Sequence, residues 1–349
     1  MSSRVTIPAD LLRRSSLGDD WADWLRRLPR LAADLLDEWE LRPDGPPLNG
    51  YVSMVVPVRT ADGVVAALKI TFDGDVESEH ESVALSQWAG DGAVTMLRAD
   101  PRRRALLLER LGPEDLTQVD AIDACEIIAS LYPRLHRRAS PVFRNLTDFV
   151  ESWLTALATD AHTVPVPPRL IDQALRTGRD LCDDPNSVGT LIHGDLHYQN
   201  VLSSRTRSPW LAIDPKPMSG DPHFEIAPLL WNRWDEMSRN VRAGIERRFF
   251  TVVDTAGFDE DRARDWVIVR TVLTRIGSSK MQTVVPSTPL RKTPSPVMLR
   301  SRRQSSGNAQ ASALAESWWL SVTIGSPREQ RLQPSRPHPR ERPGCCGRI

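Results

Sequence analysis

The run Leu191-Ile192-His193-Gly194-Asp195-Leu196-His197-Tyr198-Gln199-Asn200 holds the densest chemistry in the chain. A short apolar stretch leads into Asp195, Asn200 follows five positions later, and Asp214 ends a second apolar stretch from Trp210 to Ile213. Phosphoryl transfer needs a carboxylate to meet the attacking hydroxyl, an amide oxygen to hold magnesium, and a second carboxylate to fix the metal against phosphates. Asp195, Asn200 and Asp214 supply those groups in that order.

Two plainer readings compete. His193 and His197 lie four apart and on a helix could share a metal. Gly194 and the strand-like run before it point to a loop instead, and no Glu follows His193 as a zincin motif requires. A polar turn between two hairpin strands would explain the turn residues but not the carboxylate–amide–carboxylate order. The spacing of Asp and Asn is also that of the kinase loop H-R-D-x-x-x-x-N, with Gly194 in the place of Arg.

The elements that position these residues fall into two halves. Trp21, Trp24, Leu25, Leu28, Leu31, Leu35 and Leu36 recur at helical spacing, with Asp19 or Asp20 as N-cap and a kink or break expected at Pro29. Strands Tyr51–Val58 and Val64–Phe72 flank an Ala61-Asp62-Gly63 turn. A helix from Glu79 to Trp88 follows, then strands Val94–Ala99 and Arg104–Glu109 turned by Asp100-Pro101. This small mixed lobe ends near Leu111-Gly112-Pro113. Helical patterns dominate afterwards, around Ile122–Leu135, Leu146–Leu157, Leu170–Leu181 and Phe224–Leu273. The expected division is 1–111, a nucleotide-binding lobe; 112–276, a catalytic and acceptor-binding lobe; and 277–349, a disordered tail.

With 349 residues the chain has room for two lobes with real cores. Its 45 basic and 45 acidic residues balance, so whole-chain charge argues for neither nucleic acid nor membrane. Four cysteines form no metal-spaced cluster or disulfide framework, and no apolar run is long enough for a membrane span. A soluble cytoplasmic protein is expected. From Gly277 onward nine prolines and twelve basic residues stand against three acidic ones. That composition cannot bury an apolar face. As a function it would be a basic arm for nucleic acid, but a sequence never selected to fold is preferred, so no nucleic-acid partner is expected.

From about Trp21 to Thr274 the chain resembles the aminoglycoside phosphotransferases, in particular the streptomycin and hydroxyurea phosphotransferase branch. The resemblance rests on Leu68-Lys69-Ile70, Glu79-His80-Glu81, Ala105 to Leu111, the His193–Asn200 loop, Ala212 to Pro217, and Gly220 to Ala227. It implies an α+β, bilobal protein-kinase-like fold with a small mixed β-sheet lobe and a mainly helical second lobe. It further implies ATP and Mg2+, with a hydroxyl on a streptomycin-like aminoglycoside or hydroxyurea as acceptor. On this resemblance Lys69 meets the α/β phosphates and Glu81, with Glu77 and Glu79 as rivals, orients Lys69. The hairpin Tyr51–Phe72 covers the phosphates with only Asn49-Gly50 as glycine signal, and Glu109 to Leu111 forms the adenine hinge. Asp195 is the base, Asn200 and Asp214 hold magnesium, and Asp221 braces the loop. Gly194 argues against activation-loop phosphorylation. Trp231 to Glu236 offers aromatic faces and carboxylates to a cationic acceptor, or simply an amphipathic helix. A small-metabolite kinase and an inactive protein with a disrupted carboxyl end are the alternatives.

Overall fold

The computed structural model describes residues 5–163, 166–204 and 208–282. Two short helical segments, the first α1 (Ala9–Leu12), precede α2 (Asp19–Glu38). Pro29 neither breaks nor ends α2: Trp24, Leu25 and Leu28 before it and Ala32, Leu35 and Leu36 after it are all buried along one stripe. Packing of that stripe outweighs the one backbone bond a proline removes. Gly18, at φ +148°, is the N-cap, and Asp19 and Asp20 occupy the first turn, where acids favour the positive helix end without capping it.

Strands β1 (Arg42–Pro43), β2 (Leu48–Asn49), β3 (Ser53–Arg59) and β4 (Val65–Thr71) come next, then helix α3 (Glu81–Trp88), then β5 (Met96–Asp100) and β6 (Ala105–Glu109). They form an antiparallel sheet in the order β1-β3-β4-β6-β5, with β2 also on β3. Alternation sends Ala66, Leu68 and Ile70 toward α2, whose core they share, and leaves Lys69 on the other face opposite Leu106. Lys69 pairs with Val55 and Thr71 with Ser53, whereas Val65 at the other end pairs with Arg59. The Thr60–Val64 turn of the Tyr51–Phe72 hairpin is therefore at the far end from Lys69. The loop at the near end is Gly50–Val52, joining β2 to β3.

Helices α4 (Ala121–Leu135), α5 (Leu146–Asp160) and α6 (Pro168–Asp183) build the second lobe, with β7 (Arg137–Arg138) between the first two. Strands β8 (Thr190–Ile192), β9 (Val201–Ser203), β10 (Trp210–Ala212) and β11 (Met218–Gly220) follow, then α7 (Ala227–Trp231), α8 (Val241–Ala256) and α9 (Glu260–Gln282). The strands flanking the Asp195 loop do not pair with each other. β8 lies between β7 and β11, and β9 pairs with β10. One core runs from α3 and β6 into α4, α7 and α8, and another joins α5, α6 and α9. The first residues of the expected tail, Gly277 to Gln282, continue α9, and the rest of it lies outside the described residues. Among the described residues no helix is long and apolar enough to cross a membrane.

Candidate active site

Sheet register brings two distant loops side by side. Met218 is opposite Ile192, so the chain leaving β8 runs beside the chain approaching β11, and Lys216 N donates to His193 O at 2.8 Å. Ala212 is opposite Val201, so Ile213 N donates to Asn200 O at 2.9 Å. His193–Asn200 and Asp214–Lys216 are thus tied at both ends. Val94 N also donates to Ala212 O, which attaches the small lobe to the base of the second loop.

Lys69 reaches across from the sheet. Its Nζ donates to Glu81 Oε1 and Oε2 at 2.6 and 2.7 Å and to Asp214 Oδ1 at 2.7 Å. Glu81 opens α3 and meets Lys69, while Glu77 and Glu79 are exposed. Burial would drive the Lys69 proton off, but Asp214 and Glu81 together hold the ammonium above its ordinary value. Burial likewise opposes ionisation of Asp214, yet Lys69 and then Lys216 keep its carboxyl well below the usual range. Asp214 adopts a left-handed backbone, φ +57°. For a non-glycine residue that conformation is uncommon and is held by its surroundings.

The Asp195 carboxylate is more open, its side chain 39% exposed, with His197 Nε2 at 3.9 Å. Its recessed position pushes its carboxyl above the usual range, against the pull of His197. Asn200 Nδ2 donates to Asp195 O at 2.8 Å, which turns the amide oxygen the other way. His193 is fully buried, stacks on Trp88 with centroids 6.0 Å apart, and bonds Ile213 O through Nε2 at 3.0 Å. Burial pushes its pKa down to about 4, so it is a neutral core histidine. Glu109 ends β6 and its Oε1 accepts from Thr95 N at 2.7 Å; Leu111 packs on the main core. They lie on the segment where the chain crosses to the second lobe, apart from the charged cluster.

Residues 38–280 match the model of the aminoglycoside/hydroxyurea antibiotic resistance kinases. The chain belongs to this family. It is 36% identical over 278 residues to streptomycin 6-kinase of Streptomyces glaucescens, a match covering 77% of this chain and 89% of that protein. It is 36% identical to hydroxyurea phosphotransferase of Kitasatospora aureofaciens, covering 77% and 78%. Among solved structures, choline kinase of Streptococcus pneumoniae aligns with a TM-score of 0.56 at 12% identity, covering 85% of this chain and 99% of that one. That likeness places the fold among the kinase-like phosphotransferases. The chain is accordingly a phosphotransferase with an alcohol group as acceptor.

Within this kinase, the loop geometry explains features the motif alone does not. Gly194 has φ +80°, and a Cβ there would lie 2.2 Å from the Lys216 carbonyl oxygen. Glycine is therefore required by close backbone approach, apart from any argument about a missing arginine. The Gly194 backbone is gripped on both sides: its N–H donates to Glu225 Oε1 at 2.7 Å and its C=O accepts from Arg270 Nη2 at 2.7 Å. Glu225 is fully buried and its other oxygen lies 2.6 Å from His136 Nε2. Arg270 also donates to Phe224 O and lies over the Phe224 ring at 4.0 Å. Burial pulls its pKa down to about 10, which leaves it charged at neutral pH.

Sequence reasoning missed Glu225, Arg270 and Lys216 as individual residues. An arginine inside the apolar run Trp266-Val267-Ile268-Val269-Arg270-Thr271-Val272 was the available signal. Asp221 was expected to brace the Asp195 loop. Its carboxylate instead binds Arg262 Nε at 2.5 Å, Trp266 Nε1 at 2.6 Å and its own turn at His223, so it ties α9 to the lobe. In the expected acceptor stretch, α7 stops at Trp231; Trp231 and Trp234 are half-buried, and Glu236 pairs with Arg233 at 2.7 Å. One carboxylate and one amide oxygen suit a hard cation that takes its remaining ligands from phosphates and water. No group of three His, Cys, Asp or Glu able to hold a metal by itself occurs among the described residues.

Proposed function

We propose that this kinase transfers the γ-phosphoryl group of ATP, with magnesium, to a hydroxyl of a streptomycin-like aminoglycoside, with hydroxyurea as the second candidate acceptor. The observation that carries this reading is the Lys69 ammonium held between Glu81 and Asp214, on the loop beside Asp195 and Asn200. Lys69 would meet the nucleotide phosphates, and Glu81 would keep it aimed at them. Asn200 and Asp214 would hold magnesium, which supplies charge neutralisation at the phosphates. Asp195 would orient the acceptor hydroxyl and take its proton.

Because the transition state is loose, these residues act by placement and charge rather than by covalent chemistry. A carboxylate with a raised pKa is a better proton acceptor than an ordinary Asp. Trp231 lies near the Asp195 loop through Arg270, whose guanidinium is 5.8 Å from its ring. It is our candidate wall for the acceptor, with Asp235 as the exposed carboxylate beside it. Free Cys125 and Cys182 fit a reducing cytoplasm, where nucleoside triphosphate is supplied.

The test is magnesium-dependent nucleotide turnover against streptomycin, hydroxyurea and a metabolite such as choline, with Asp195→Ala in parallel. Turnover with streptomycin, reduced about 10³-fold in the variant, is expected. Turnover restricted to the metabolite would replace the acceptor assignment, and full activity in Asp195→Ala would remove the base.

A further inference from the structure

Of the chain's 45 basic residues, only four are lysines: Lys69, Lys216, Lys280 and Lys292. Lys280 falls in the last turn of α9 and Lys292 lies beyond the described residues. The two lysines within the lobes are 147 positions apart in sequence, yet both lie in one charged cluster with Asp214. A chain that uses arginine almost everywhere has kept lysine at two places, and one of them is the phosphate-facing position of the proposed site.

Lys216 is placed by the same register that builds the site. Its N–H is bonded to His193 O, and its own carbonyl is the atom that a Cβ on Gly194 would strike. Its backbone is thus pressed against the residue before Asp195. Its Nζ extends to the small lobe, donating to Asp75 Oδ2 at 2.8 Å, with both side chains largely buried. Ser78 Oγ donates to the same carboxylate oxygen at 2.6 Å. If Lys216 moved away, Asp75 would keep a partner. Burial disfavours charge on Asp195, and Lys216 is among the cations, after His197 and Arg270, that oppose this.

We propose that Lys216 is a second catalytic cation, which leaves Asp75 to meet the equatorial oxygens of the transferring γ-phosphoryl beside Asp195. This rests on the phosphotransferase reading above. In the step, the acceptor oxygen–phosphorus bond forms as the bond from phosphorus to the bridging oxygen breaks. The electron pair stays on the β-phosphate of the departing ADP, and the acceptor proton passes to Asp195. Lys216 gives hydrogen bonds and charge but no proton. A compact ammonium on a flexible stem can change partners in this way, whereas a guanidinium fork would settle bidentately on the Asp75 carboxylate. Were the pair with Asp75 only a strut between lobes, arginine would serve it at least as well.

The experiment measures affinity of the full chain for magnesium–ADP with and without aluminium fluoride, a mimic of the transferring phosphoryl, by calorimetry. Thermal unfolding of each variant is recorded alongside. Lys216→Met should weaken the aluminium fluoride complex about 100-fold while changing ADP affinity little. Lys216→Arg, which keeps the charge and the reach to Asp75, should keep its thermal stability and still lose about tenfold. Asp75→Asn, which removes the pair but keeps the ammonium, should stay within about threefold. Wild-type affinity in Lys216→Arg would overturn the proposal, as would a loss in Asp75→Asn equal to that in Lys216→Met. Should Lys216→Met fail to fold, the other two variants still decide. Failure of the wild-type protein to bind magnesium–ADP would instead sink the phosphotransferase reading itself.

Discussion

Lys69 sits on β4, paired along the whole strand with β3 and from Ala66 to Ile70 with β6, above an apolar face packed on α2. Asp195 sits on an irregular loop whose preceding residue, Gly194, is gripped by Glu225 and by Arg270, side chains that arrive from 30 and more positions away. The strand residue is located by many small, repetitive contacts. The loop residue is located by a few strong, buried, polar ones. A position of the first kind should tolerate single substitutions, and one of the second kind should fail when one partner is lost.

Glu225→Leu is the hardest test of that contrast. It strips the acceptor from Gly194 N–H and from His136 Nε2 and leaves Arg270 with one fewer neighbouring carboxylate beside Asp195. Removing one member of such a buried group costs about 4 kcal/mol, to be read by urea unfolding. A cost near that of a surface change would mean the loop is held by something else.

His193 gives the next effect. Its folded pKa of about 4 lies below the ordinary histidine value of 6.5, so the unfolded chain binds the proton first. The stabilisation is present above about pH 6.5 and fades as pH falls toward 4, by about 3 kcal/mol. Stability measured across that window should fall less steeply in His193→Asn than in the wild type. Parallel slopes would show that His193 does not titrate there.

Gly194→Ala would drive a Cβ to within 2.2 Å of the Lys216 carbonyl and needs the loops to part. A displacement of about 1 Å at Asp195 should lower kcat about 10²-fold with nucleotide affinity retained. Unchanged kcat would show a loop softer than its contacts suggest. The smallest effect belongs to the strand: Leu68→Val, under Lys69 and fully buried, should cost about 1 kcal/mol and leave kcat alone. A large kcat loss there would erase the distinction between the two regions.

Much of this arrangement was legible beforehand. The Asp-to-Asn spacing and the two short apolar runs are local signals, set by strand and loop length, and they pointed to Asp195, Asn200 and Asp214, whereas Lys69 was singled out only by the family resemblance. Local rules allowed a break at Pro29, where burial on both sides keeps one helix continuous, and offered Asp19 or Asp20 as the cap, whereas both enter the first turn behind a glycine cap. The competing reading of the Asp195 run as a turn between paired hairpin strands falls as well, since the strand on each side takes a different partner.

The sequence by itself determined the chemical types, their order and the periodicities of the elements that carry them, because these depend on neighbours a few residues apart. Only the tertiary structure decided that Glu81 rather than Glu77 or Glu79 meets Lys69, and that Lys216 crosses to Asp75. It alone placed Glu225 and Arg270 on the two adjacent peptides of Gly194. Those choices belong to buried charges, whose partners are fixed by the cost of leaving a charge unpaired in a dry interior and not by distance along the chain.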